Sequence, residues 1–301
     1  MSTHPQPAPA NTAAPSRKPV TVRQVAQMRQ DGRPITMVTA YDYPSAQVVD
    51  AAGVDIVLVG DSGAMTVLGY PSTVPVSIDE MLVLTAAVRR GLTNPLLVGD
   101  LPFGSYEVSD EQAVATAVRF VKEGGCDAVK LEGGGASAER ARAIVRAGIP
   151  VMGHVGLTPQ TATALGGFRA QGVTADGARA VLADALRLQD AGCFAIVFEA
   201  VPAEVTKAII SCLTVPVIGV GAGPDADGQA LVYHDVLGIF DGFKPKFTKR
   251  WAELRMAMVD GVTHYVDEVR ARSFPAAEHC YAIKPAELAK FTAELDTVSV
   301  R

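Results

Sequence analysis

Charged side chains recur at one kind of place in this chain, the end of a short apolar run. Val57-Leu58-Val59-Gly60 leads into Asp61, and Leu96-Leu97-Val98-Gly99 into Asp100. Ala128-Val129 leads into Lys130-Leu131-Glu132, Val151-Met152-Gly153 into His154, and Ala195-Ile196-Val197-Phe198 into Glu199. A parallel sheet flanked by helices binds its ligands outside the carboxyl ends of its strands. Charge kept half-buried there is costly unless a metal ion or a substrate meets it.

The residue types narrow the chemistry. Asp61, Asp100 and Glu132 offer oxygen ligands from three consecutive strands, a set that suits Mg2+ or Mn2+. No cluster of His or Cys competes, which speaks against zinc. The alternative is that these acids cap helices or pair with cations at the sheet end. Lys130 and Glu132 stand two apart and so face the same side of one strand, with Lys130 one layer deeper. A lysine there neutralises the acids, holds a substrate carboxylate, or forms a purely structural ion pair. A Schiff base is disfavoured by acids that keep the amine protonated. Glu199, between Val197-Phe198 and Ala200-Val201-Pro202, has the apolar surroundings that raise a carboxylate's proton affinity toward that of a general base. Otherwise it is an acid paired at the edge of the core. His154 is either a hydrogen-bond donor to an anionic substrate or a structural histidine.

These side chains need a scaffold that presents strand ends together. From Ile35 onward, β-branched runs alternate with loops and Ala-rich helical periods, which predicts strands near 35–40, 55–60, 96–101, 128–132, 151–155, 195–200, 215–220 and 235–240. Helices are expected from Ser109 to Lys122, with Ala113, Ala117, Val118 and Val121 on one face, and from Thr174 to Asp190, with Ala178, Val181, Leu182, Ala185 and Leu188 on one face. Ser109, Thr174 and Ser137 are the expected N-caps, and Gly148 follows the third helix where glycine is favoured. Continuous apolar strands mark a parallel sheet covered by helices. Eight such units argue for a closed (β/α)8 barrel, an α/β fold, over an open doubly wound sheet.

Two Gly-rich stretches interrupt the pattern. Residues 154–170 form a long connection after the fifth strand, the length of a lid. Gly219-Val220-Gly221-Ala222-Gly223 lacks the spacing and the following helix of a dinucleotide site, and fits a tight turn or a backbone close to a ligand. The amphipathic stretch from Lys249 to Arg272 is long for a barrel helix and either packs on a neighbouring subunit or covers the barrel.

Bulk properties exclude other classes. The 301 residues are 49% hydrophobic with a net charge of −5, and mean hydropathy is +0.21. That suffices for one large core and gives no footprint for nucleic acid. No apolar run reaches the ~18–20 residues of a membrane span. Residues 1–19 are rich in Pro, Ala, Ser and Thr, lack the apolar core of a signal peptide, and read as a disordered tail. Cys126, Cys193 and Cys212 stand apart in apolar contexts as free, buried thiols, and Cys280 pairs with none of them in a C-x-x-C motif. A cytoplasmic protein is expected.

Taken together, several segments resemble the ketopantoate hydroxymethyltransferase family. They are Met37-Val38-Thr39-Ala40-Tyr41-Asp42, Val59-Gly60-Asp61-Ser62, Gly99-Asp100-Leu101-Pro102-Phe103 and Val129-Lys130-Leu131-Glu132-Gly133-Gly134. Gly153 through Gln160, Phe198-Glu199-Ala200-Val201-Pro202, Gly219 through Gly223 and Pro245-Lys246-Phe247 follow in order. The resemblance covers about residues 20–275, one catalytic barrel, and leaves 276–301 as a C-terminal extension. It implies a (β/α)8 TIM barrel of the phosphoenolpyruvate/pyruvate type. It also implies transfer of a one-carbon unit from 5,10-methylenetetrahydrofolate to 3-methyl-2-oxobutanoate in pantothenate biosynthesis, with one Mg2+ per subunit. On this resemblance Asp61 and Asp100 are direct metal ligands and Glu132 an outer ligand through water. Ser62, Lys130 and His154 contact substrate together with Asp61 and Asp100, and Glu199 is the base. A homo-oligomer, a decamer, is implied as well, with small-molecule partners only. The competing expectation is a Mg2+-dependent C–C lyase or mutase acting on another 2-oxo acid.

Overall fold

The computed structural model describes residues 17–242 and 245–295. The disordered tail expected over 1–19 therefore falls almost wholly outside the described residues, as do the last six positions of the C-terminal extension.

Eight parallel strands close into a barrel in sequence order. They are β1 (Ile35–Thr39), β2 (Ile56–Val59), β3 (Leu96–Asp100), β4 (Ala128–Lys130), β5 (Val151–Gly156), β6 (Ala195–Glu199), β7 (Val217–Val220) and β8 (Gly228–Leu231). The helices around them are α1 (Val22–Gln30), α2 (Tyr43–Ala52), α3 (Gly63–Thr66), α4 (Ile78–Gly91), α5 (Asp110–Arg119), α6 (Ser137–Arg146), α7 (Ala175–Asp190), α8 (Ala203–Ile210) and α9 (Tyr233–Val236). The chain divides into two compact units, 1–252 and 253–301. The second holds α10 (Leu254–Arg270), no residue of which is buried, and α11 (Pro285–Leu295).

Helix starts follow their capping chemistry. Ser109 and Thr174 accept from the third backbone N–H of α5 and α7, as their types require. Ser137 does not cap. It is the first residue of α6, and Ala136 stands at the cap position with no side-chain bond. α5 buries Ala113, Thr116 and Ala117, then widens into a π-type turn over Phe120–Gly124. The buried face of α5 runs through Ala113, Thr116, Ala117 and Phe120, at helical spacing, and leaves the expected Val118 exposed.

The eighth strand is not at 235–240. Tyr233–Val236 forms a helical turn, and the barrel closes through Gly228–Leu231, paired with Ile35–Val38 on one side and Ile218–Gly219 on the other. The physical reason is room. A Cβ on Gly228 would stand 2.5 Å from the Ile35 carbonyl oxygen and 2.8 Å from Ile218 Cδ1. Closure needs a residue without a side chain there, and Gly228 supplies it.

Two cores result. One, containing Ile35, Met37, Ile56, Leu58, Leu96, Val98, Ala128, Met152, Ala195, Val197, Ile218 and Ala230, fills the barrel, and α1 adds Val25 and Met28 to it. The other lies between strands and helices, with Val57, Leu97, Val129, Val151, Ile196 and Val217 facing the helical layer. Cys126 and Cys193 are buried free thiols, whereas Cys212 is exposed, against expectation, because it lies just past the end of α8.

Candidate active site

Alternation along the strands builds the site. Leu96 and Val98 point into the barrel, so Asp100 does too; Ala128 is followed inward by Lys130, Met152 by His154, and Ala195 and Val197 by Glu199. The charged residues are thus the final layer of the same stack whose lower layers are apolar. Asp100 and Lys130 are direct cross-strand partners in the register. Glu132, two residues past Lys130, lies one layer higher, and Asp61 follows β2 in the next turn.

Four of these side chains are almost fully enclosed. Asp100 is 1% exposed, His154 2%, Lys130 3% and Glu132 4%. Lys130 Nζ lies 2.6 Å from Asp100 Oδ1 and 3.7 Å from Glu132 Oε1. The backbone N–H of Asp61 donates to Asp100 Oδ2 at 3.1 Å. His154 bridges two carboxylates, with Nδ1 3.3 Å from Glu132 Oε1 and Nε2 3.4 Å from Glu199 Oε2. Neither nitrogen makes a well-angled hydrogen bond among the described residues. Glu199 is the most open of the set, its side chain 17% exposed. Its carboxylate faces the His154 imidazole and not only the apolar neighbours that its sequence context suggests.

The electrostatics follow from this crowding. Burial, then Asp100 and Glu132, push the Asp61 pKa up to about 8. Burial raises Asp100 as well, against the pull of Lys130. Burial opposes charge on Lys130 and on His154, yet the surrounding carboxylates outweigh it. Lys130 is held above its ordinary value, and His154 rises to about 9. Burial acts against ionised Glu132 too, but His154 and Lys130 prevail and lower its pKa.

Two further groups hold the site, and their residue types alone give no reason to single them out. Gln160, in the turn Pro159–Thr161 after β5, donates from Nε2 to Asp61 Oδ2 at 3.0 Å, and its backbone N–H donates to Glu132 Oε2 at 3.0 Å. Tyr106 donates to Gln160 Oε1 at 2.6 Å. Ser62 turns toward Tyr41, whose hydroxyl is 2.8 Å away. The backbone of Glu199 is fixed by Gly156. The carbonyl of Glu199 accepts from Leu157 at 2.8 Å, and a Cβ on Gly156, at φ +92°, would lie 2.2 Å from that oxygen. In the second Gly-rich stretch, Gly221 has φ +66° and lies under the Phe247 ring, a tight turn as its composition suggests.

The donor set fits a divalent cation. Three buried carboxylates face one lysine and one histidine. Among the described residues no three His, Cys, Asp or Glu side chains converge to enclose a metal, so a closed protein cage is not the arrangement. Mg2+ does not need one: it is commonly held by one or two carboxylates, with water and substrate completing its shell. Asp61 and Asp100 are suited to be those two. Glu132, engaged by Lys130, His154 and Gln160, suits an outer position.

Known proteins are similar to this chain in sequence and in fold. A family model described as ketopantoate hydroxymethyltransferase matches residues 19–277. A 3-methyl-2-oxobutanoate hydroxymethyltransferase of Moorella thermoacetica is 56% identical over 265 residues, covering 88% of this chain and 98% of that protein. A mitochondrial relative of the same name from Arabidopsis thaliana is 51% identical, covering 95% of this chain and 86% of that one. Among solved structures, phosphonopyruvate hydrolase in complex with oxalate and Mg++ superposes with a TM-score of 0.57 at 14% identity, covering 94% of this chain and 99% of that one. A 2,3-dimethylmalate lyase of the PEP mutase/isocitrate lyase superfamily gives 0.55 at 14%, covering 92% and 97%. At that identity the likeness is one of fold alone, a (β/α)8 barrel. The strand-end layer and the sequence match along nearly all of the barrel together place this chain in the ketopantoate hydroxymethyltransferase family.

Proposed function

We propose that this protein transfers a hydroxymethyl unit from 5,10-methylenetetrahydrofolate to 3-methyl-2-oxobutanoate, giving 2-dehydropantoate. The observation that carries the reading is one layer of side chains: Asp61 and Asp100 beside Lys130 on one side, and Glu199 across His154 on the other.

The substrate's reacting carbon, C3, bears one weakly acidic hydrogen beside the 2-oxo group. Glu199, the most accessible carboxylate of the layer, takes that proton. His154, charged at neutral pH, orients Glu199 and balances negative charge. Mg2+, held by Asp61 and Asp100 with Glu132 acting through water, would supply Lewis acidity toward the 2-oxo and carboxylate oxygens. Lys130 favours the ionised form of Asp100 against its burial, positions its oxygen, and adds positive potential beneath the substrate. Ser62, steadied by Tyr41, contributes a hydroxyl at the substrate's edge. Water releases the folate methylene carbon as formaldehyde, both C–N bonds breaking and the two water hydrogens passing to the two folate nitrogens. The C3 carbanion then adds to the formaldehyde carbon, and the resulting alkoxide takes back the proton held by Glu199 to become the hydroxyl. The loop after β5, up to residue 170, shields this step from bulk water.

The same proposal takes the enzyme to be a cytoplasmic homo-oligomer, a decamer on the family resemblance. In support, no described helix is long and apolar enough to cross a membrane, and Met256, Met258, Val259 and Val262 of α10 are exposed.

Proton NMR in D2O tests the reading. C3 exchange on 3-methyl-2-oxobutanoate is expected with Mg2+ and not without it, and adding methylenetetrahydrofolate then yields 2-dehydropantoate. Exchange without folate-dependent product would favour a lyase or mutase of another 2-oxo acid. Absence of both signals would refute the proposal.

A further inference from the structure

A chain of buried hydrogen bonds with a fixed direction links four strand-end segments. The backbone N–H of Glu132 donates to the Tyr106 hydroxyl at 3.3 Å. That hydroxyl donates to Gln160 Oε1 at 2.6 Å. Gln160 Nε2 donates onward to Asp61 Oδ2 at 3.0 Å and to the Leu101 carbonyl at 2.9 Å. Tyr106 is 2% exposed and Gln160 4%, so water does not substitute for any link.

The direction is set by donor and acceptor inventory. A primary amide has one donor end and one acceptor end. Asp61 Oδ2 and the Leu101 carbonyl only accept, so the NH2 must face them. The opposite end must then meet a donor, which the Tyr106 hydroxyl can be because the Glu132 N–H occupies its accepting side. Reversing Gln160 would put two acceptors against its oxygen and leave Tyr106 facing an NH2. The amide therefore has one orientation.

The consequence falls on Asp61. Gln160 holds Oδ2, and Oδ1 accepts no hydrogen bond from the described residues. We infer that Gln160 is a positioning residue, oriented by Tyr106, that fixes the Asp61 carboxylate so that its second oxygen is presented for a divalent cation. This rests on the reading of Asp61 as a metal ligand. Partners that orient a metal's ligands typically contribute 10–100-fold to its affinity.

The test is Mg2+ titration calorimetry on the full-length protein, with thermal unfolding followed in parallel. Gln160→Met keeps length and bulk while removing both donor and acceptor. Tyr106→Phe keeps the ring packed and removes only the hydroxyl that directs the amide. Gln160→Met is expected to weaken Mg2+ binding by about 10–100-fold, and Tyr106→Phe by about tenfold or less. The double variant should bind no more weakly than Gln160→Met alone, because both substitutions cut one chain. Mg2+ affinities within twofold of the unaltered protein, with only a lowered unfolding temperature, would show that Gln160 merely ties down its loop and would overturn the inference. Asp61→Asn separates the two readings. If it leaves Mg2+ affinity unchanged, or if the unaltered protein takes up no Mg2+, the metal reading fails and the inference fails with it. If Asp61→Asn abolishes uptake while Gln160→Met does not weaken it, the inference alone fails.

Discussion

Lys130 is the one lysine inside a layer of carboxylates, and its removal should be felt first as stability. Its ammonium is 2.6 Å from Asp100 and 3.7 Å from Glu132, and all three side chains are 4% exposed or less. At an effective dielectric near 20, each of those distances corresponds to an attraction of order 5 kcal/mol. The cost of desolvating the ammonium offsets much of that. What remains decisive is asymmetry. Lys130→Met leaves Asp100 and Glu132 buried without their cation, and breaking a buried pair from one side typically costs ~3–5 kcal/mol. For a barrel of this size that is a fall in Tm of ~6–20 °C. The assay is thermal unfolding of four proteins: unaltered, Lys130→Met, Asp100→Asn and the double variant. Because Asp100 is then no longer charged, the double variant should recover part of the loss, with a coupling energy of ~1–3 kcal/mol. A Tm change under about 2 °C for Lys130→Met, or coupling under about 0.5 kcal/mol, would refute the view that Lys130 is held in place by the acids around it.

Glu199→Gln should leave Mg2+ and 2-oxo acid binding nearly intact while slowing C3 exchange by ~10²–10⁴-fold; unchanged exchange would remove Glu199 from the role of base. Gly99→Ala, one residue before Asp100, should lower stability by ~1–3 kcal/mol, since its Cβ would stand 2.5 Å from Phe120 and 2.6 Å from Cys126 Sγ; a Tm equal to that of the unaltered protein would mean the helical layer yields there. Burial lowers the pKa of the half-buried His234 against the pull of Asp42. Its protonation therefore favours the unfolded chain, and its contribution to stability is present above about pH 6.5 and lost as pH falls. His234→Asn should flatten the drop in Tm between about pH 7 and 5.5, and an unchanged slope would count against this.

Much of the site was legible because a parallel barrel strand writes its own address. An apolar run that ends in a charged residue marks a strand and its carboxyl end, and the structure sets Asp61, Asp100, Lys130, His154 and Glu199 at or just past such ends. The spacing of Lys130 and Glu132 placed both on one face, which the contact between them agrees with. Helix caps were readable where Ser or Thr preceded a helical period, at Ser109 and Thr174. Ser137 misleads because the turn before α6 carries the chain one residue further back, to Ala136.

The rest depended on contacts between distant segments. Val236-Leu237-Gly238-Ile239-Phe240 looks like a strand by composition, but closure of the barrel is decided by which backbone fits between Ile35 and Ile218, and that is Gly228. Val118 is exposed because the buried face runs through Ala113, Thr116, Ala117 and Phe120, a face the apolar residue types alone did not single out. Gln160 and Tyr106 are 54 residues apart in sequence, and nothing in either neighbourhood announces a hydrogen bond between them. The class of fold and the layer of charges can be read along the chain, because strand alternation and residue type are local properties. Which carboxylate meets which cation, that His154 lies between Glu132 and Glu199, and that an amide from the loop after β5 reaches Asp61 emerge only in three dimensions. Those are matters of distance across the barrel, set by closure and packing of the whole chain.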